Sequence, residues 1–273
     1  MREEERASLY NLEVYGEVNE FLNKLSAARR ESPYRNIPVP HILLGQDEGE
    51  GFSTFASQTT EILYKNHVIE FRSKMRLVEC TFCQEINVNK LKEKIRYGTV
   101  ITNVFYGVVA IDLKISLSRV EKDVLTEFIQ FLKTNKDNIC FLIRVNKDEL
   151  EEARCFMEGV LNMNFYCVSI PRITCFQMAD IAAEWMKKDG FGIDSEAIKV
   201  LQKTIEILQT QKQYCGLKTI RQLVERIELQ HLMFSDTKKD QNISAYEISD
   251  FTDRILSTEL VHSENSRRGR IGF

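Results

Sequence analysis

The sequence predicts an α/β fold, a five-stranded parallel sheet followed by a smaller helical subdomain. Three observations carry that expectation. Up to about residue 170, short apolar runs alternate with helix-periodic segments, as in repeated β–α units. Two of the runs, YGVVAIDL (106–113) and NICFLIRV (138–145), are almost continuously apolar, as strands covered on both faces are. After Pro171 the strand runs stop and helices dominate.

Residues 8–30 read as an amphipathic helix with Leu9, Leu12, Val18, Phe21, Leu22 and Leu25 on one side. A proline-bearing loop follows, then a first strand at His41–Leu44 and a helix over 53–65. A second strand is expected at His67–Phe71 and a helix over 87–97, ahead of the strand at 106–113. Ser118 and Glu121 form a capping box for a helix that carries Val120, Val124, Leu125, Phe128, Ile129 and Leu132. The strand at 138–145 comes next, Asp148 with Glu151 opens a further helix, and Phe165–Ile170 is the last strand. In the second part, Thr174 and Gln177 box one helix, and Asp194 caps another that runs to about Gln209. Gly216 precedes a third, Ser244 and Glu247 box a fourth, and the loop 235–242 separates the last two. The expected division is an α/β core with its N-terminal helix over 1–170, an all-helical lid over 171–257 and a flexible tail over 258–273.

The chain has 273 residues, 43% of them hydrophobic and 28% charged, which is ample for a packed core. Its net charge of −3 lacks the basic excess of a nucleic-acid binder. No apolar run reaches the ~18 residues of a membrane span, and the acidic start MREEER lacks the apolar centre of a secretory signal. A cytoplasmic location is expected, with no nucleic-acid or membrane partner. Cys140, Cys155, Cys167 and Cys175 read as buried free thiols. Cys80 and Cys83 form a lone C-x-x-C, and His41, His67, His231 and His262 show no metal spacing, so no metal site is expected.

Residues 41–54, HILLGQDEGEGFST, lead from an apolar strand through a glycine-bearing loop into a helix. A phosphate-binding loop has this layout and reads G-x-x-x-x-G-K-[ST], with backbone N–H groups and a lysine cradling the phosphates. Aligned without gaps, Gln46 stands at the first glycine, Gly51 at the second and Phe52 at the lysine. Ser53, followed by Thr54, stands at the magnesium-binding hydroxyl. Gly49 is a further loop glycine, and Asp47, Glu48 and Glu50 add three carboxylates. An ordinary acidic strand–helix loop is the alternative reading of the same residues.

Five strand candidates, this loop after the first, an apolar run ending in aspartate on the third and a helical cap together resemble the AAA+ ATPases, a class of P-loop NTPase. The resemblance is greatest to the branch of the CbxX/CfqX proteins and red-type Rubisco activases, and it covers about residues 8–257. It implies that VVAID (108–112) is the Walker B strand, whose aspartate holds Mg²⁺ and is followed by a water-polarising glutamate. Asp112 is present, and Leu113 replaces the glutamate. Asn146 matches the sensor of the γ-phosphate. NMNF (162–165) lies where the family carries its arginine finger and has no arginine. GLKTIRQLVER (216–226) resembles the second-sensor helix, with Lys218 or Arg221 as its basic residue. RLVECTF (76–82) falls at the central-pore loop, with Phe82 as the pore aromatic. Plainer roles stand beside these: Asp112 as a solvated strand-end carboxylate, Asn146 as a turn residue, Arg221 as an i,i+4 partner of Glu225, Phe82 as a core residue.

These departures weigh against turnover. Phe52 replaces a cation with a ring. Each loop carboxylate at ~7 Å from phosphate would repel a unit charge by roughly 2 kcal/mol at an effective dielectric near 20. A missing finger arginine forfeits ~10³ or more in rate. The expected function is a catalytically inactive AAA+-like protein, a pseudo-ATPase acting as a structural, adaptor or regulatory subunit of a larger assembly. Its expected partner is a protein, an active AAA+ paralogue or another copy of itself, with no cofactor. Two alternatives remain open. One is an ATP-dependent remodelling ATPase that uses ATP and Mg²⁺ in a non-standard site. The other is a small-molecule or peptide sensor that uses the vestigial pocket.

Overall fold

The computed structural model describes residues 15–32, 38–72, 75–99, 104–211, 214–234 and 242–253. The chain divides into two compact units, Met1–Arg172 and Ile173–Phe273. The first contains α1 (Gly16–Glu31), β1 (Ile42–Gly45), α2 (Phe52–Lys65), β2 (Leu77–Phe82), α3 (Val88–Gly98), β3 (Gly107–Leu113), α4 (Lys122–Asn135), β4 (Ile139–Val145), α5 (Leu150–Gly159) and β5 (Tyr166–Ser169). Its five strands form one parallel sheet in the order β2-β3-β4-β1-β5.

That order explains the apolar runs. β3, β4 and β1 are interior strands, and every residue of β1 and β4 is buried. Helices must cover both faces of such a sheet. Val109, Ile111, Phe141 and Ile143 pack with Phe128 and Leu132 of α4 and Met157 of α5 in one core. β2 is an edge strand, and its side chains alternate between core and solvent, with Val78, Cys80 and Phe82 inward.

The second strand is not at His67–Phe71. His67 and Val68 instead close the end of α2: the Val68 N–H bonds the Leu63 carbonyl, and His67 takes φ 51°. A chain closing a helix through a left-handed residue has its amides committed to the helix end. The strand lies at Leu77–Phe82, where a pore loop was expected, so Phe82 is a core residue, 2% exposed. Ser118 and Glu121 make no capping box. Ser118 belongs to a 3-10 turn, and α4 begins after Glu121 without a side-chain cap. Asp148 likewise lies in a 3-10 turn ahead of α5. Cys155 is exposed, Cys167 and Cys175 are half-buried, and Cys140 is buried.

The second unit contains α6 (Cys175–Lys188), β6 (Gly192–Ile193), α7 (Ser195–Gln209), α8 (Gly216–Phe234), β7 (Asn242–Ile243) and α9 (residues 245–253). Thr174 and Gln177 form a complete capping box on α6, and Asp194 accepts from the Ala197 N–H at 2.7 Å. Ser244 and Glu247 exchange hydrogen bonds at the start of α9. This unit is not entirely helical, because β6 and β7 pair as a short parallel ribbon. Met178, Trp185, Leu201, Ile220, Val224 and Ile248 fill its core. The first turns of the expected 8–30 helix, residues 254–257 of the lid and the tail 258–273 lie outside the described residues, as does most of the 235–242 loop.

Candidate functional site

Parallel strands bring their carboxyl ends to one edge of the sheet, where α/β proteins bind ligands. Here that edge gathers the loop 46–51 after β1, Asp112 to Lys114 at the end of β3, and Arg144 to Asn146 at the end of β4. Gly49 and Gly51 take φ 82° and 88°, conformations that glycine adopts without strain. Gly51 is the N-cap of α2 and offers no side-chain cap.

The β3–β4 register sets Asp112 beside Arg144. Arg144 is 1% exposed, and its Nη1 lies 3.2 Å from Asp112 Oδ1. Its Nε donates to the Gln46 carbonyl at 2.8 Å, and Nη1 also approaches the Leu113 carbonyl at 3.4 Å. One guanidinium therefore joins the ends of β3 and β4 to the start of the loop. Burial raises the Asp112 carboxyl above its ordinary range and Glu48 adds to the rise, while Arg144 and Lys114 pull it back. Arginine does not deprotonate in proteins, so the buried cation keeps its need for this carboxylate.

The loop carboxylates also have protein partners. Glu48 pairs with Lys114, and Asp47 pairs with Arg172. The hydrogen bond that Lys114 donates to Glu48 raises its ammonium above the ordinary range. Gln46 is fully buried, and its Nε2 donates to the Tyr15 hydroxyl and to the Glu50 carbonyl, each at 2.8 Å. Ser53 donates to Glu79 of β2 at 2.6 Å. Thr54 is buried, Phe52 is half-buried, and no cation stands at position 52. Leu113, where the resemblance expected a water-polarising glutamate, is fully buried. Asn146 bonds Glu149 at 3.3 Å within the turn before α5.

Gln46, Gly49, Gly51, Phe52, Ser53, Thr54, Asp112 and Asn146 are thus brought to one region of the first unit. Lys218 and Arg221 belong to the second. Lys218 is exposed, while Arg221 pairs with Asp189 at 3.4 Å and Glu225 at 3.2 Å and lies over the Trp185 ring. Phe82 sits inside the sheet core. Sequence reasoning missed Tyr15, Glu79, Lys114, Arg144 and Arg172. Only Arg144 announced itself, as a charge inside an apolar strand that had to find a partner. Among the described residues, no group of three His, Cys, Asp or Glu side chains is placed to hold a metal, and no helix is long and apolar enough to cross a membrane.

No protein-family model matches the chain, and no curated protein matches it. Solved structures do. It is similar to RuvB of Thermotoga maritima in a lysine-to-arginine mutant, with a TM-score of 0.58 and 13% identity over 87% of this chain and 69% of that one. A proline-to-glycine mutant of the same protein gives 0.57 and 12% over 86% and 69%. A third RuvB structure, described as a Holliday junction branch migration motor, gives 0.54 and 14% over 87% and 69%. Identity this low carries the fold alone. With the five-stranded parallel sheet and the helical second unit, it establishes that the chain has the AAA+ fold of the P-loop NTPases.

Proposed function

We propose that the chain is a catalytically silent AAA+-like protein, a pseudo-ATPase that serves as a structural, adaptor or regulatory subunit of a larger assembly. The observation that carries this is the Asp112–Arg144 pair. In an active relative, the aspartate at the end of the third strand faces a metal ion. Here a buried guanidinium faces it. A second cation at the same carboxylate would have to displace the first, leaving a buried charge without its partner, which is strongly unfavourable.

The surroundings support the same conclusion. Phe52 offers no charge to a triphosphate, the Ser53 hydroxyl is turned to Glu79, and Glu48 already holds Lys114. Magnesium and triphosphate do not fit residues so engaged. A shape kept without its chemistry points to binding and assembly as the role. Within the AAA+ proteins, the order of the strands, the loop after the first, the apolar run ending in Asp112 and the helical cap resemble the CbxX/CfqX branch most, and the partner we infer is an active AAA+ paralogue or a second copy of this chain.

Calorimetry with ATP and Mg²⁺ at millimolar concentration, run beside a phosphate-release assay, tests the enzymatic half. We expect neither heat of binding nor release above background. Micromolar affinity with turnover would establish a working ATPase. Light scattering of the protein alone and mixed with candidate AAA+ partners tests the assembly half, and a protein that stays monomeric in every mixture contradicts it.

A further inference from the structure

A bound anion organises a working phosphate loop by drawing its backbone N–H groups together. The loop 46–51 has three carboxylates instead, and its shape is held from within. Tyr15, just ahead of α1 and 2% exposed, stacks its ring on Phe55 of α2 with centroids 5.4 Å apart and planes 15° from parallel. Its hydroxyl donates to the Glu50 carbonyl at 2.9 Å and accepts from Gln46 Nε2 at 2.8 Å. The same Gln46 nitrogen donates to the Glu50 carbonyl at 2.8 Å. These three groups close a triangle on the peptide that leads into Gly51. Because a peptide is planar, fixing its carbonyl also fixes the N–H on its other side.

Two details show that the contact is specific. Gln46 stands where a phosphate loop has glycine, so the triangle uses a side chain such a loop lacks. Its buried Oε1 has no hydrogen-bond partner among the described residues, so the amide is held by its donor end. Burial raises the Tyr15 hydroxyl far above the ordinary tyrosine range, so it remains a donor at every physiological pH.

We propose that Tyr15 and Gln46 are an internal ligand of the loop, a strap through which the start of the N-terminal helix holds residues 46–51 in one shape. The proposal rests on the pseudo-ATPase reading in treating 46–51 as a former phosphate loop. Tyr15 and Gln46 are positioning residues, and they act on the loop through the Glu50 carbonyl.

Amide hydrogen exchange on the full chain tests it, comparing wild type with Tyr15→Phe and Gln46→Ala. Tyr15→Phe keeps the ring on Phe55 and removes only the hydroxyl, which preserves folding. In both variants residues 46–54 should exchange at least tenfold faster, an opening about 1.4 kcal/mol easier, while β3 and β4 keep their wild-type rates. Unchanged loop rates in both variants would overturn the strap. So would an equal acceleration through β3 and β4, which marks a general loss of stability. ATP turnover by the wild type would remove the pseudo-ATPase proposal and leave the exchange result standing.

Discussion

Arg144 is a cation in a strand whose other residues are all apolar, and Asp112 is the carboxylate that makes this tolerable. Truncating one partner of a buried pair strands the other charge, whereas replacing both with apolar residues is often nearly neutral. Asp112→Ala should therefore cost about 3 kcal/mol, and Arg144→Met with Asp112→Leu should cost much less than the two single changes added. Urea unfolding of the four proteins gives that comparison. His41 makes a second prediction at this scale. It is 7% exposed, its Nδ1 accepts the Phe141 N–H at 3.3 Å, and burial lowers it from 6.5 to about 4. The unfolded chain therefore binds a proton between these values that the folded chain refuses. Stability is complete above pH 6.5 and falls as pH drops towards 4, by up to about 3 kcal/mol from this residue. Unfolding curves at pH 7 and pH 4.5 should show a smaller loss in His41→Gln than in wild type.

Helix starts show how far local sequence can be read. Thr174 and Ser118 head similar patterns, yet Thr174 forms its box with Gln177, whereas the Ser118 hydroxyl meets the Ser116 hydroxyl at 2.9 Å. Thr174→Ala should cost about 1 kcal/mol, and Ser118→Ala under about 0.5 kcal/mol, measured by thermal unfolding. The difference is tertiary. Leu117 is buried, 7% exposed, and it draws its turn onto the sheet core, so the helix begins after Glu121. β2 was misplaced for a related reason. HVIEF and LVECTF are both short and apolar, and only the second alternates with period two, as an edge strand does. The interior strands were legible because burial on both faces leaves one pattern available. The loop's partners were not, because Tyr15, Lys114 and Arg172 are distant in sequence and carry no periodic signal. The Asp112–Arg144 contact depends on the β3–β4 register, which no local spacing reveals.

At the scale of the whole molecule, the engagements around the proposed vestigial nucleotide site are several and linked, since Arg144 joins Asp112 to the Gln46 carbonyl and Lys114 acts on both Glu48 and Asp112. Restoring one missing group should therefore restore nothing. Phe52→Lys returns the loop cation, and Leu113→Glu returns the water-polarising carboxylate. Asp112 would still face Arg144, Glu48 would still face Lys114, and Gln46 would still span the loop to Glu50. Leu113→Glu also sets a carboxylate at a fully buried position, where an unpaired charge is costly. Phosphate transfer depends on positioning and charge stabilisation acting together. We expect Phe52→Lys to keep the wild-type melting temperature within about 2 °C, as a change at a half-buried site does, and to show no ATP-dependent shift and no phosphate release. Adding Leu113→Glu should lower the melting temperature and still give no release. Turnover by Phe52→Lys alone would mean that lysine was the only obstacle and that the Asp112–Arg144 pair opens readily for a metal, and the pseudo-ATPase proposal would not survive that result.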